Sequence, residues 1–346
     1  MKKWSNLSLL AILLTGLFLY NCKKKEADPL EPDSGLVDEI GKIDLPEIEL
    51  EAPAPVTSTP AEVKISPAAA ALATGITSLT PGGPIPEAIS GAAADVSAAL
   101  SESEISALSS IDNSVIDAVS AGGELPAALQ AVVEKVSADP KLKAFLPTFT
   151  LPTVNGLPVS GRTGNKAGTD HVLDFNDVAV SDECLEKANE EFALAKSRLD
   201  ASRDTKLQGV AAAYSAAIAP LAANETSCTA ALTTTYASAM DAALAIGSAA
   251  NASLEAVRST LGDELFKTLQ ALTNISFLAH LNALNSAKAA DSTLCTQITA
   301  VATQAAQDAR DTNTQKVESA YQTALSEATD LRSKLLSSCH NQGGGN

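Results

Sequence analysis

Cysteines are the residues of this chain whose type and spacing point most directly to a chemistry. Four of the five, Cys184, Cys228, Cys295 and Cys339, lie in the C-terminal half, and Cys228 follows Cys184 at the same interval at which Cys339 follows Cys295. A thiol can form a disulfide, ligate a metal or act as a nucleophile. Structural zinc sites place cysteine ligands within a few residues of each other, and no two of these four are that close, so oxidation to two disulfides is the chemistry expected. Four cysteines allow three connectivities. If a helix runs from Cys184 to about Asn224, its ends lie ~60 Å apart, whereas a disulfide needs Cα atoms within about 7 Å. Pairing in chain order therefore requires an unmarked hairpin. Nested pairing, Cys184 with Cys339 and Cys228 with Cys295, requires none. Facing residues of antiparallel helices have numbers of constant sum, and both nested pairs share one sum, so a single register accommodates both bonds.

The other reactive residues do not converge. His171, His280 and His340 are isolated, and the Glu-x-x-His pairs of di-metal helical bundles do not occur. His280, on an apolar stretch, reads as a hydrogen-bonded core residue. Gly161-Arg162-Thr163-Gly164-Asn165-Lys166 has the glycines of a phosphate loop but neither its Gly-Lys-Ser/Thr ending nor a strand before it. Asp170, Asp174, Asn176 and Asp177 lack the alternating spacing and turn glycine of a calcium loop, and suit helix capping or a linker. Gly-x-Ser-x-Gly is absent, and no carboxylate pair stands out among 41 acidic residues. No catalytic, cofactor-binding or metal residue is expected, and no enzyme. A net charge of -17 without clustered Lys and Arg argues against nucleic acid as a partner.

Cys22 stands in a different setting. Lys2 and Lys3 precede an apolar run from Leu7 to Tyr20, which ends at Leu19-Tyr20-Asn21-Cys22. At 1.5 Å per residue the run reaches about 21 Å, short of the roughly 30 Å of a bilayer core, so a cleaved signal fits better than a membrane span. The arrangement resembles the lipobox of bacterial lipoproteins, in the relaxed form of spirochaete-type lipoproteins, since Tyr20 and Asn21 stand where small residues are usual. The resemblance covers residues 1–22 alone. It implies that residues 1–21 are a signal peptide and that Cys22 becomes an acylated N-terminus carrying palmitate-type chains. Two or three chains hold a protein durably on a membrane, and Lys23, Lys24 and Lys25 would lie at the headgroups. Those basic residues lack an acidic inner-membrane retention signal, so the expected place is the outer membrane of the cell envelope, with its periplasmic or surface face open.

Composition sets the elements that must carry these cysteines. Hydrophobic residues make up 45% and aromatics 3%, so the apolar content is largely Ala with Leu, Ile and Val, which suits closely packed helices. Residues 22–66, interrupted by Pro29, Pro32, Pro46, Pro53, Pro55 and Pro60 and rich in acidic residues, read as a disordered tether. Residues 67–146 read as short helices: one follows Pro86 with Ile89, Ala92 and Val96. Another starts at a Ser101/Glu104 capping box, a third carries Val115, Ile116 and Val119 before Gly122, and a fourth follows Pro126 with Val132 and Val136. Whether these pack on one another or on the C-terminal helices stays open. Residues 147–180 read as loop, and 340–346 as a disordered tail.

Residues 181–339 read as four long helices: one to about Asn224 with Pro220 near its end, one over Thr226–Leu261, one carrying the wide apolar stripe Leu265–Leu284, and one ending near Ser338. Arg203-Asp204-Thr205 with Gln208, Val210, Ala213 and Tyr214 recurs as Arg310-Asp311-Thr312 with Gln315, Val317, Ala320 and Tyr321, all at one offset. The expected fold is all-α, a disulfide-stapled antiparallel bundle of up-down-up-down topology preceded by short helices and a tether. The function expected is a lipid-anchored envelope protein presenting that bundle for protein-protein interaction. An envelope-structural, self-associating spacer and a bundle that binds an apolar ligand such as lipid are the alternatives.

Overall fold

A computed structural model describes residues 31–80, 82–159 and 183–341. The expectations for Cys22, the signal, Gly161 to Lys166, Asp170, His171, Asp174, Asn176 and Asp177 lie outside the described residues. So do those for residues 342–346 and the side chain of His340. In chain order the elements are α1 (Ser34–Gly41), β1 (Ser58–Thr59), β2 (Glu62–Lys64), α2 (Pro67–Thr77), α3 (Glu87–Ala99), α4 (Glu102–Ser109), α5 (Asn113–Ser120) and α6 (Ala127–Ala138). A 3-10 turn (Leu142–Phe145) and strands β3 (Thr148–Thr150), β4 (Thr153–Val154) and β5 (Leu157–Pro158) follow. The long helices α7 (Glu183–Ile218), α8 (Leu221–Ala256) and α10 (Asp263–Asn341), with the short α9 (Arg258–Leu261) before the last, complete the chain.

The fold is all-α and its long helices run antiparallel and disulfide-stapled, but the two last expected helices are one. Between Asp263 and Asn341 there is neither Gly nor Pro, so nothing ends the helix, and α10 continues for 79 residues. The chain does reverse at Gly262, whose φ of +76° suits a residue without Cβ. Pro220 keeps helical dihedrals (φ -79°, ψ -13°), and a two-residue break separates α7 from α8. No helix among the described residues is long and apolar enough to cross a membrane.

The described residues form two compact units, 31–52, 183–215 and 308–341 in the first, and 53–80, 82–159 and 216–307 in the second. In the first, α7 and α10 pack through Ala188, Ala195, Leu199, Ala324, Ala328, Leu331 and Leu335, where alanine lets the helices approach closely. The repeated segment explains itself here. The Arg203 guanidinium stacks over the Tyr321 ring at 4.8 Å and that of Arg310 over Tyr214 at 4.9 Å, so each copy's arginine covers the other copy's tyrosine. Tyr321 also donates to Asp200 Oδ1 at 2.5 Å.

The tether expectation is corrected for residues 34–66. Asp33 caps α1, accepting the Gly35 and Leu36 N–H groups, and Ile40, Ile43 and Leu45 are buried against the first unit's helices. Polar groups then fasten the extended chain to α7 and α10. Arg198 Nη2 donates to the Ile40 and Gly41 carbonyls, and buried Asn313 pairs with both backbone groups of Glu51 at 2.8 and 2.9 Å. Acidic side chains that would repel one another in isolation find cations, Glu51 with Lys316 at 2.7 Å.

In the second unit the short helices pack both on one another and on the long ones. Leu72, Ile76, Ile89, Val96, Leu108, Val132, Val136 and Leu142 share a core with Leu254, Phe266, Leu269, Leu272 and Ile275. The wide stripe of α10 is thus buried on several sides. Its polar residues serve the short helices: Asn274 Nδ2 donates to Leu108 O, Ser276 Oγ to Phe145 O and Asn285 Nδ2 to Val119 O, satisfying carbonyls at helix ends. The Ser101/Glu104 capping box forms, and Lys135 together with Ser101 holds the Glu104 carboxyl down to about 2. The loop expected from Pro147 contains strands: β4 and β5 join through Asn155 and Gly156, both at positive φ, and β1 pairs with β4, β2 with β3. Asn-Gly between apolar residues is a hairpin signal present in the sequence.

Candidate functional site

Of the three connectivities open to the cysteines, the structure contains the nested one. Cys184 is bonded to Cys339 with Cα atoms 5.8 Å apart, and Cys228 to Cys295 with Cα atoms 5.9 Å apart. The first bond lies in the first unit and the second in the second, each tying antiparallel helices at the same register. Contacts on either side keep that register, as Arg332 with Asn189 and Thr296 with Glu225 show. These cysteines staple helices. They are not gathered at a reactive centre, and no cluster of potential metal ligands occurs among the described residues.

The second unit has a cavity of about 380 Å³ bounded by α2, α8, α10 and Phe145. Its position follows from local sequence. On α8, Ala243, Gly247 and Ala250 present almost no side chain, so the helix surface is open where α2 brings Leu72 and Ile76 and α10 brings Leu272 and Phe277. Gly247 is required by its neighbour: a Cβ there would come within 2.6 Å of the Phe277 ring. A glycine inside a helix costs about 1 kcal/mol relative to alanine, so the ring's place against α8 is maintained at the expense of helix propensity.

The lining is apolar and uncharged. No Asp, Glu, Lys or Arg borders the cavity among the described residues. Three of its hydroxyls are committed to backbone carbonyls, Ser276 to Phe145 O, Ser253 to Ala249 O and Thr77 to Thr74 O, and the partly buried Thr273 adds a fourth hydroxyl to the wall. His280 is different. Its ring borders the cavity, its Nδ1 is buried with no hydrogen-bond partner, and burial holds the imidazole below its ordinary pKa. The expectation of a hydrogen-bonded core histidine is corrected at that atom. At the outer edge Ile65 and Ile246 line the cavity while 43% and 53% exposed.

A second polar feature of the same unit lies at Asp291, which is 2% exposed. Its Oδ2 accepts from Tyr236 OH at 2.8 Å and its Oδ1 from the Ala61 N–H at 2.7 Å. Burial first, and then the bond to Asp291, pushes the Tyr236 phenol well above its usual range. Sequence reasoning passes over Asp291, Asn313 and Gly247. Of the three only Gly247, a glycine inside a helical pattern, carries a local signal. No protein-family model, curated protein or solved structure matches this chain.

Proposed function

We propose that this chain is a lipid-anchored protein of the cell envelope, without catalytic activity, that is held at a membrane through acylated Cys22 and presents a disulfide-stapled helical body to a protein partner. The observation that carries this reading is the pair of disulfides. Such bonds persist in oxidising compartments outside the cytoplasm, which agrees with an apolar leader ending at a lipobox-like cysteine. Outer-membrane placement is part of the proposal and rests on the basic residues after Cys22. Mass spectrometry of the mature N-terminus is expected to find diacylated or triacylated Cys22. An unmodified N-terminus further along the chain would overturn the anchor. Crosslinking on intact cells is expected to recover a defined protein partner, and self-association of the purified chain in light scattering would favour the spacer role instead.

One observation favours a second reading, an apolar-ligand-binding bundle. The uncharged cavity beside His280 lies within the roughly 300–1,000 Å³ usual for small-molecule sites.

A further inference from the structure

We infer that the cavity between α2, α8 and α10 binds an uncharged apolar molecule carrying a single hydrogen-bonding group, and that this group is seated at His280. The inference deepens the apolar-ligand reading and rests on it. The space of about 380 Å³ is a recess open at one edge, and it is of the size usual for small-molecule sites. The space is also maintained: Gly247 lets the Phe277 ring lie against the α8 backbone, where any side chain would force it aside.

The lining selects the ligand's chemistry. With no charged side chain at the wall, an ion inside would lose its hydration and meet no counter-charge. Hydroxyls of Ser253, Ser276 and Thr77 already donate to backbone carbonyls, and that of Thr273 belongs to a residue only partly buried, so they add little demand for a polar ligand. The Nδ1 of His280 is the exception. Buried polar atoms in folded proteins nearly always have a partner, and leaving one unpaired is costly. The cavity is the space beside this ring that protein atoms leave unfilled. Nδ1 itself is closed off where the ring now lies, so pairing it from the cavity requires the ring to turn about Cβ–Cγ, and a neutral imidazole can donate or accept according to its tautomer. An alcohol, amide or ester at the end of an aliphatic chain satisfies it; a carboxylate or ammonium brings a charge that nothing in the wall balances. Exposed Ile65 and Ile246 give the ligand an apolar way in.

The test is photolabelling of the full chain with a diazirine-bearing dodecanol, with the labelled peptides mapped by mass spectrometry. Labels are expected in α2, α8 and α10 around the cavity. Unlabelled dodecanol should compete at concentrations at least roughly tenfold below those needed for dodecanoate or dodecylammonium, reflecting the cost of an unpaired charge. His280→Phe should weaken dodecanol competition by roughly three- to tenfold, as loss of one hydrogen bond does, and leave dodecane competition unchanged. Filling the cavity with Ala250→Trp should abolish labelling, and Ile246→Trp at the exposed edge, where folding is little at risk, should reduce it strongly. Labels scattered away from these helices, or untouched by both tryptophans in chains of unchanged circular dichroism, would sink the apolar-ligand reading itself. Cavity labelling in which the charged amphiphiles compete as well as the alcohol, or in which His280→Phe changes nothing, would leave that reading standing and overturn the inferred class.

Discussion

A single side chain can order a segment whose composition forbids independent folding, and Asn313 does so. Its amide meets Glu51 as a neighbouring strand would, accepting the N–H at 2.8 Å and donating to the carbonyl at 2.9 Å. Asn313→Ala leaves both groups without a partner, at a local cost of about 1–3 kcal/mol. Hydrogen exchange at the Glu51 amide should accelerate accordingly, while the melting temperature moves little; unchanged exchange would show that the segment is held elsewhere. His280 yields a pH dependence of known sign. Burial lowers its pKa in the folded state, so on acidification the unfolded chain, with an ordinary imidazole pKa of about 6.5, takes up the proton first. The stability difference between the parent chain and His280→Phe should therefore be constant above about pH 7.5 and turn against the parent as pH falls through 6.5. Urea midpoints from pH 8 to 5 measure it, and parallel curves would contradict the shift.

At the level of elements, the long helices owe their continuity to what is missing from them and their pairing to two bonds. Ala-rich helix surfaces bury little area per residue, so covalent closure matters more here than in a core rich in large side chains. The chain-entropy account gives about 4–5 kcal/mol for a bond closing loops as long as 67 or 155 residues. Replacing Cys228 and Cys295 by serine should lower the melting temperature by on the order of 10 °C. Peptide mapping without reduction should recover Cys184 with Cys339 and Cys228 with Cys295, and a Cys184–Cys228 peptide would refute the register. The short helices depend on α10 in another way, since Asn274, Ser276 and Asn285 complete carbonyls at their C-terminal ends.

For the whole molecule, the proposal is a body in an oxidising compartment, attached at its start by lipid. Cys22→Ala should shift the protein from the detergent phase to the aqueous phase in a partitioning experiment, because it removes the two or three acyl chains that hold the protein durably. Retention in the detergent phase would require another anchor. The same variant separates attachment from binding: its affinity for a partner recovered by crosslinking should be unchanged.

Much of this architecture is written locally. The boundaries at Pro86, Ser101, Pro126 and Gly262 follow from caps and backbone freedom, the helices from their period, and the disulfide pairing from the constant sum of facing residues. The Asn155-Gly156 hairpin was equally legible as a turn dipeptide. The apolar stripe of Leu265–Leu284 and the repeat at Arg310 read as two helices, although the stretch between them holds neither Gly nor Pro to end the first. Other features have no local signal. Whether Glu51 and Ala61 are ordered depends on Asn313 and Asp291, more than two hundred residues away in sequence. The cavity belongs to no element, being the space that α2, α8 and α10 leave unfilled around Gly247 and His280. Periodicity reports which face of a helix is apolar; which neighbour covers that face, and where the cover is incomplete, is decided only when distant segments pack.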